Sequence, residues 1–525
     1  MDSPSIQRAL ISVSDKTGLV EFGQQLASSG ITIYSTGGTA KALKDANIDV
    51  IDVSEYTQFP EMMSGRLKTL HPKIFGGILC RHDRQDDMQA IAEHGIHAFE
   101  LVVVNLYPFE ATIAKPGVTL AEVIEQIDIG GPSLVRAAAK NHKFTTIVTS
   151  ASQYAEVADA ISTDKATSLD LRFRLAAAAF ARTAEYDTAI SAYFQKQLCE
   201  SADTAFPPTQ TISLQLQSVL RYGENPHQQA AIYKDASVQR PSLLNAKQLN
   251  GKELSYNNLL DLDAAWSIAK SLPDCAVSVI KHNNPCGAAS AATLSAATQK
   301  AMDGDPVSAF GSILGMNQEV DAATAEILAT PGLFVEAIIA PRFTADALEI
   351  LKTKPKWKSN VRLMELGDIP SQAGGQLFRQ VDGGMLVQDA DDGPDLVQEW
   401  QCVTQTQPSD ELWEELKFAW AMVRHIKSNA IAVTKDRSLV GAGAGQMSRV
   451  DSVEISLKKA GERTKGAVLS SDAFFPFPDS IEAAAQAGIA AVIQPGGSKR
   501  DQEVIDACNR LGIPMVFTGR RHFKH

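Results

Sequence analysis

The chain has 525 residues, of which 44% are hydrophobic and 21% charged. That balance fits a globular protein of about three or four folding units and excludes a disordered chain or a small disulfide-stapled scaffold. The formal net charge of −12 argues against a general binder of nucleic acid or anionic membranes. The start, Met1-Asp2-Ser3-Pro4, has no basic stretch ahead of an apolar run, and it reads as lacking a secretory signal. The longest apolar runs, such as Leu175–Ala181, are too short to span a bilayer. Cys80, Cys199, Cys275, Cys286, Cys402 and Cys508 are scattered without CxxC pairing, so reduced thiols in a cytoplasmic protein are expected. His94 and His97 have no Cys or acidic partner at ligand spacing, and no HExxH occurs, so no metal site is expected.

In chain order, Ala9–Ser14 reads as a short strand, followed by a helix with Leu19, Phe22 and Leu26 on one face. Ser14 or Asp15 is placed to cap that helix, and Gly30 to end it. Ile31–Ser35 is a second strand, turning through Thr36-Gly37-Gly38-Thr39 into a helix over Ala40–Asp45. The run Leu-Val-Val-Val within Glu100–Asn105 suits a strand buried on both faces, and Thr145–Thr149 adds another. This alternation predicts an α/β fold with an open parallel sheet over about 1–150. A long helix follows over Ser168–Cys199, and then a Ser-, Asp- and Pro-containing linker at 201–211. The first domain thus covers 1–200 and the second 212–525. Within the second, Cys275–Lys281, Ala337–Ala340, Ala430–Thr434 and Ala490–Gln494 read as buried strands. A Lys-, Gly-, Asp- and Pro-rich stretch at about 352–393 divides it into two subdomains.

Chemistry-bearing residues cluster at the strand ends. Ser14-Asp15-Lys16 and Thr36-Gly37-Gly38-Thr39 each follow a strand and open a helix, which offers backbone N–H groups and a positive dipole end to a phosphate. Arg66 and Lys68, with Thr69, alternate in a segment read as extended and suit an anionic, oxygen-rich ligand. Asn105 and Tyr107 stand just past a buried strand, where ligands bind in open α/β sheets. Asp128-Ile129-Gly130-Gly131 pairs a carboxylate with a second glycine turn, ahead of a helix carrying Arg136 and Lys140. In the second half, Arg221-Tyr222 combines a phosphate-binding cation with a ring that can stack. Lys281-His282 reads as a titratable pair at the end of a parallel strand, before a break at Asn283-Asn284-Pro285. The Gly441–Gly445 run lacks the GxGxxG spacing before a long helix, so a dinucleotide reading is rejected. Phe474-Phe475-Pro476-Phe477-Pro478 is apolar enough to line a pocket for a flat ring.

The segments SVSDKTGL, STGGTAKAL, GRLKTLHPKI, NLYPF, DIGGPS and AAAKNH, in this order, resemble the cyclohydrolase domain of the bifunctional purine biosynthesis family. The Lys281-His282 and FFPFP segments, with Gln494–Ser498 and Thr518–His525, resemble the formyltransferase half of the same family. The resemblance implies a methylglyoxal-synthase-like first domain and two cytidine-deaminase-like α/β/α subdomains without zinc. It implies the last two steps of inosine monophosphate synthesis. A formyl group passes from 10-formyltetrahydrofolate, a cosubstrate rather than a tightly bound cofactor, to aminoimidazole-carboxamide ribotide (AICAR), and the product (FAICAR) then closes its ring with loss of water.

By motif position, Ser14, Asp15, Lys16, Ser35, Thr36, Gly37, Gly38, Thr39, Arg66, Thr69, Asn105 and Ile129 are implied to bind the cyclisation substrate. Lys68, Tyr107, Asp128 and Lys140 are implied to carry its chemistry, with Lys140 as proton donor. In the transferase, Lys281 and His282 are implied as catalytic. Arg221, Tyr222, Phe310, Gly311, Glu336, Asn429, Arg449, Phe474 and Arg521 are implied to bind the ribotide, with Glu336 standing where the family pattern has aspartate. Val450, Pro476, Phe477, Asp479 and Gly497 are implied to border the folate. A homodimer with sites formed across it is implied as well, with small-molecule substrates and neither nucleic-acid nor membrane partners. Two other readings are a phosphosugar lyase like methylglyoxal synthase and a non-enzymatic nucleotide-sensing regulator. The first leaves about 315 residues unexplained, and Lys281-His282 beside purine-site motifs stands against the second.

Overall fold

The computed structural model describes residues 4–202, 206–235, 238, 240–368 and 374–525. Part of the expected linker (203–205) and part of the expected subdomain boundary (369–373) lie outside the described residues. The chain forms two compact units, Met1–Ser213 and Leu214–His525.

In the first unit, β1 (Arg8–Val13), β2 (Thr32–Ser35), β3 (Val50–Asp52), β4 (Leu101–Asn105) and β5 (Thr146–Val148) form one parallel sheet in the order β3-β2-β1-β4-β5. The Leu-Val-Val-Val run of β4 is fully buried because helices cover both faces of this sheet. The strand order reverses between β1 and β4, and the crevice beyond their C-terminal ends is where such sheets bind ligands. The helix Leu169–Ala202 packs against the helix Gly130–Lys140 and against β5.

Two local expectations fail here. The helix Leu19–Ser28 is capped by Gly18 in a left-handed conformation and not by Ser14 or Asp15. Asp15 instead accepts hydrogen bonds from the backbone N–H and hydroxyl of Thr17, closing its own tight turn. Arg66 and Lys68 do not lie on an extended run, because Met63–Gly65 forms a short helical turn and Met62 bridges back to Leu67. The alternation that the sequence suggests is therefore absent, and both cations project from a folded loop.

The second unit opens with a hairpin, β6 (Gln215–Leu220) and β7 (Ala230–Lys234). Then follow β8 (Lys247–Asn250), β9 (Cys275–Lys281), β10 (Asn284–Ala291), β11 (Ser312–Met316), β12 (Val335–Ala340) and β13 (Arg362–Glu365). A second hairpin, β14 (Gln376–Val381) and β15 (Gly384–Asp389), precedes β16 (Gln401–Cys402), β17 (Ile431–Lys435), β18 (Ser438–Gly443), β19 (Val468–Ser471), β20 (Ala491–Gln494) and β21 (Met515–Phe517). Apart from the two hairpins, these strands make one 12-stranded sheet in the order β16-β21-β20-β19-β17-β18-β10-β9-β11-β12-β13-β8.

That order is an internal duplication. A hairpin (β9-β10 or β17-β18) is followed outward by an antiparallel strand, two parallel ones and an antiparallel edge, and the repeats join through the antiparallel pair β10-β18. Three antiparallel steps separate β9 from β17, so equivalent strands point in opposite directions. The C-terminal end of β9 and the N-terminal ends of β11 and β12 therefore share one edge of the sheet with the N-terminal end of β17 and the C-terminal ends of β19, β20 and β21.

Lys281-His282 does not end a parallel strand as expected, because β9 is antiparallel to both its neighbours. Nor does Asn283-Asn284-Pro285 break the chain. His282 and Asn283, both at positive φ, form a two-residue hairpin turn, and Asn284 and Pro285 already belong to β10.

Candidate active sites

In the first unit a cavity of about 640 Å³ opens at the β1/β4 switch point. Ser12, Ser14, Lys16, Thr36–Thr39, Arg66, Lys68, Thr69, Asn105, Tyr107 and Asp128–Gly131 line it. One end carries the features of a phosphate site: Lys16, Gly37 and Gly38 lie where two strands give way to helix N-termini. Asn105 holds this end together. Its Oδ1 accepts from the backbone N–H of Ser14 at 2.5 Å and of Asp15 at 3.0 Å, and its Nδ2 donates to the Asp15 carbonyl at 2.8 Å.

Asp128 lines the cavity together with Gly130 and Gly131. The Asp128 carboxylate accepts from the Gly131 N–H at 2.8 Å, at the start of the helix Gly130–Lys140. Burial pushes the Asp128 carboxyl above its usual range, against the pull of backbone N–H groups of Gly131, Tyr107 and Gly130. Gly131 is required here, because a Cβ at that position would lie 2.9 Å from the Asp128 carboxyl carbon and closer still to an oxygen. Lys68 pairs with Glu61 at 3.2 Å beside the Gly37 turn, its ammonium 3.4 Å from where a Gly37 Cβ would stand, and Arg66 pairs with Glu125.

Three predicted residues lie outside this cavity. The hydroxyl of Ser35 is fully buried and donates to the Ile11 carbonyl at 2.7 Å, so it ties β2 to β1. Asp15 is occupied by its turn with Thr17. Lys140 ends the helix whose first residues line the cavity.

In the second unit a cavity of about 720 Å³ is lined by Asn429, Met447–Val450, Phe474, Pro476, Phe477, Asp479, Pro495–Gly497, Gly519, Arg521 and Phe523. It sits at the shared sheet edge, beyond β19, β20 and β21. Phe474, Pro476 and Phe477 give it a flat apolar wall, and the Arg500 guanidinium lies 4.5 Å from the Phe477 ring centroid. Phe475, the alternate residue, is fully buried in the core. The Arg449 guanidinium donates to Asp472 at 2.5 Å, Ser471 at 2.7 Å and Asn429 at 2.8 Å, so much of its donor capacity is spent inside the protein. The glycines of Gly441–Gly445 serve packing. A Cβ on Gly441 or Gly443 would collide with backbone of the helix Arg449–Ala460, which lies directly on β18.

The remaining predicted residues form a separate group on the same edge. The Lys281 ammonium donates to the carbonyls of Phe310 and Gly311, each at 3.0 Å. Asp261 accepts from the Asn283 N–H at 2.7 Å and fixes the turn that carries His282. Glu336, at the start of β12, pairs with the buried Arg362 at 3.1 Å rather than facing either cavity. Arg221 and Tyr222 follow the end of β6 and contact each other, with the guanidinium 5.2 Å from the ring. None of these seven lines the 720 Å³ cavity. β9 and β17 are three strand spacings apart, about 14 Å.

Comparison with known proteins divides the chain in the same order. The MGS-like domain family matches residues 18–133, and the AICARFT/IMPCHase bienzyme family matches residues 138–459. The bifunctional purine biosynthesis protein PurH of Rhodopirellula baltica is 59% identical, covering 100% of both chains. Its counterpart from Synechococcus elongatus is 52% identical over 98% of this chain and 99% of its own. The chain belongs to the AICARFT/IMPCHase bienzyme family. It is a bifunctional formyltransferase and cyclohydrolase of purine biosynthesis, and the phosphosugar-lyase and regulator readings fall away.

For a bienzyme, several lining residues escaped the sequence. Glu125 lines the first cavity, and Met447 and Ser448 the second, none of them with a local signal. The six cysteines are free thiols. No helix among the described residues is long and apolar enough to cross a membrane.

Proposed function

We propose that the 640 Å³ cavity closes the ring of FAICAR and that the sheet edge of the second unit formylates AICAR. The observation that carries the first assignment is the polarity of the cavity. Lys16 and Lys68 gather at the Gly37-Gly38 helix start, and Asp128 and Tyr107 stand at the second end, beside Gly130-Gly131. A ribotide anchored by its phosphate places its carboxamide and formamide at the second end. The amide nitrogen is a weak nucleophile, so Asp128 accepts its proton as the N–C bond to the formyl carbon forms. The formyl oxygen takes up a proton to become a hydroxyl, which gains a second and leaves as water while the former formamide nitrogen gives up its N–H proton and the ring C=N bond forms. Lys140 is the donor that the family motif implies.

In the transferase, the 5-amino group of AICAR attacks the formyl carbon of 10-formyltetrahydrofolate, His282 takes the amine proton, and the C–N10 bond breaks as that proton is returned to N10, releasing tetrahydrofolate. The Lys281 ammonium, cradled by two carbonyls, opposes the charge developing on the formyl oxygen. The aromatic-proline wall suits a flat pterin, which supports the formyl-folate as cosubstrate. The catalytic hairpin and this wall are separated by about 14 Å or more within one chain. Arg221-Tyr222 adjoins an arm with exposed Leu216, Val219 and Tyr233. Both observations support a homodimer in which each transferase site draws on two chains. Small acidic metabolites as the only substrates, in the cytoplasm, complete the proposal.

Paired variants test it. Asp128→Ala should abolish cyclisation and spare formyl transfer, and Lys281→Ala should do the reverse; loss of both activities in either variant would refute the division. Mixing Lys281→Ala with Phe474→Ala chains should restore about a quarter of the wild-type transferase sites if sites cross chains. No restoration would refute the shared site.

A further inference from the structure

The cyclisation site as drawn from its motifs ends with the helix Gly130–Lys140, yet its key loop is held from elsewhere. Tyr186 lies in the middle of the helix Leu169–Ala202, beyond the 18–133 stretch that matches the MGS-like domain family. Its side chain is fully buried and does not line the cavity. Its hydroxyl makes two hydrogen bonds to a single loop. It accepts from the backbone N–H of Asp128 at 2.9 Å and donates to the carbonyl of Gln126 at 2.7 Å. Ile127, which these two bonds bracket, lines the cavity together with Asp128 and Ile129.

The ring itself is fixed from two further sides. Phe109, which closes the NLYPF segment, meets it edge-on with centroids 6.0 Å apart. The Arg182 guanidinium lies over it at 5.7 Å and pairs with Glu110 at 2.8 Å. One buried tyrosine thus couples the Asp128 loop, through its hydroxyl, to the segment that carries Tyr107, through its ring. The Asp128 carboxylate is aimed by both ends of its own residue, with Gly131 holding the side chain and Tyr186 the backbone N–H.

We propose that Tyr186 is a positioning residue for cyclisation, holding the backbone of Asp128 so that its carboxylate meets the reacting amide. The inference rests on the assignment of Asp128 to that reaction. The long helix is then part of the cyclohydrolase and not a spacer between the two activities. Without the hydroxyl, the Asp128 N–H and the Gln126 carbonyl lose a shared buried partner and the loop drifts. A displacement near 1 Å at a reacting group costs up to about 100-fold in rate. The phosphate end of the cavity is built on different turns, so substrate binding is spared.

The test is Tyr186→Phe in the full-length chain, which keeps the ring and its packing. The expected result is a cyclisation kcat of about a tenth of wild type or less, with KM for FAICAR within about twofold. Formyl transfer should be unchanged, and the retained KM reports that the first unit is folded. Arg182→Leu disturbs the packing on the same ring but leaves the hydroxyl, and it should keep kcat within about twofold of wild type. A wild-type kcat in Tyr186→Phe, or an equal fall in Arg182→Leu, overturns the inference. Asp128→Ala separates the two levels of the argument. If it cyclises normally, the site assignment itself fails and the inference with it. If it is inactive while Tyr186→Phe is fully active, only the positioning role fails.

Discussion

Gly443→Ala tests how the transferase half is packed. Gly443 ends β18, and the helix Arg449–Ala460 crosses directly over it. A Cβ at 443 would lie 2.7 Å from the Ser452 carbonyl carbon and 2.9 Å from its Cα, and nearer still to the oxygen. Carbon–carbon contacts relax at about 3.5–4.0 Å, so the helix must retreat by about 1 Å. The obstacle is backbone on both sides, and no side-chain rotation relieves it. Overpacking of this kind costs about 1–3 kcal/mol. The same helix begins at Arg449, whose guanidinium joins Asn429, Ser471 and Asp472 beside the 720 Å³ cavity. A shift of about 1 Å there predicts a fall in formyl transfer of up to about 100-fold. Cyclisation should be unaffected, because it resides in the other compact unit. Urea denaturation followed through tryptophan fluorescence measures the stability change, and separate assays with AICAR and FAICAR measure the two activities. Wild-type stability together with wild-type formyl transfer would refute the reasoning.

Two pH dependences follow from named groups. Burial raises the Asp128 carboxyl, so if its ionised form accepts the amide proton, kcat/KM for cyclisation should fall on the acid side at a pH above that of an ordinary aspartate, about 3.9. A profile flat down to pH ~4 would remove Asp128 as the base. Burial also lowers the affinity of His522 for a proton, but the hydrogen bond to Asp391 and the nearby Asp395 carboxylate outweigh it and the net shift is upward. A raised histidine pKa stabilises the folded state fully below the unfolded value of about 6.5, and that stability disappears as pH rises through the folded value. The urea midpoint of the second unit should therefore decline from neutral into alkaline pH, and His522→Gln should flatten the decline. An unchanged slope in the variant would assign the loss to other groups.

Much of the first site was legible because its residues are local to strand ends. The Ser14–Lys16 turn, Thr36–Thr39, Asn105-Leu106-Tyr107 and Asp128–Gly131 each follow a hydrophobic run and precede a helix, and a parallel sheet brings all such ends to one side. Individual roles inside those motifs were not legible. Ser35 and Asp15 sit in the same motifs as Gly37 and Lys16, yet their side chains close backbone gaps instead of facing the cavity. Whether a hydroxyl or carboxylate meets a ligand or a neighbouring turn depends on a direction that spacing does not encode. Lys140 ends the helix whose first turns line the cavity, and it is not among the lining residues.

By itself the sequence determined the α/β class, the buried strands, the glycine turns and the set of residues able to do chemistry, since these follow from hydrophobic period and local backbone demands. Only the tertiary structure decided which of them meet. The alternation of Arg66 and Lys68 gave way to a folded loop, and the strand carrying Lys281 proved antiparallel on both sides. The duplicated sheet put β9 and β21 ends on one edge, although more than two hundred residues of chain separate them. Strand pairing is set by contacts far apart in sequence. The partners of a site residue, such as Tyr186 for Asp128, are therefore fixed by the pairing and helix packing of the whole unit and not by its neighbours along the chain.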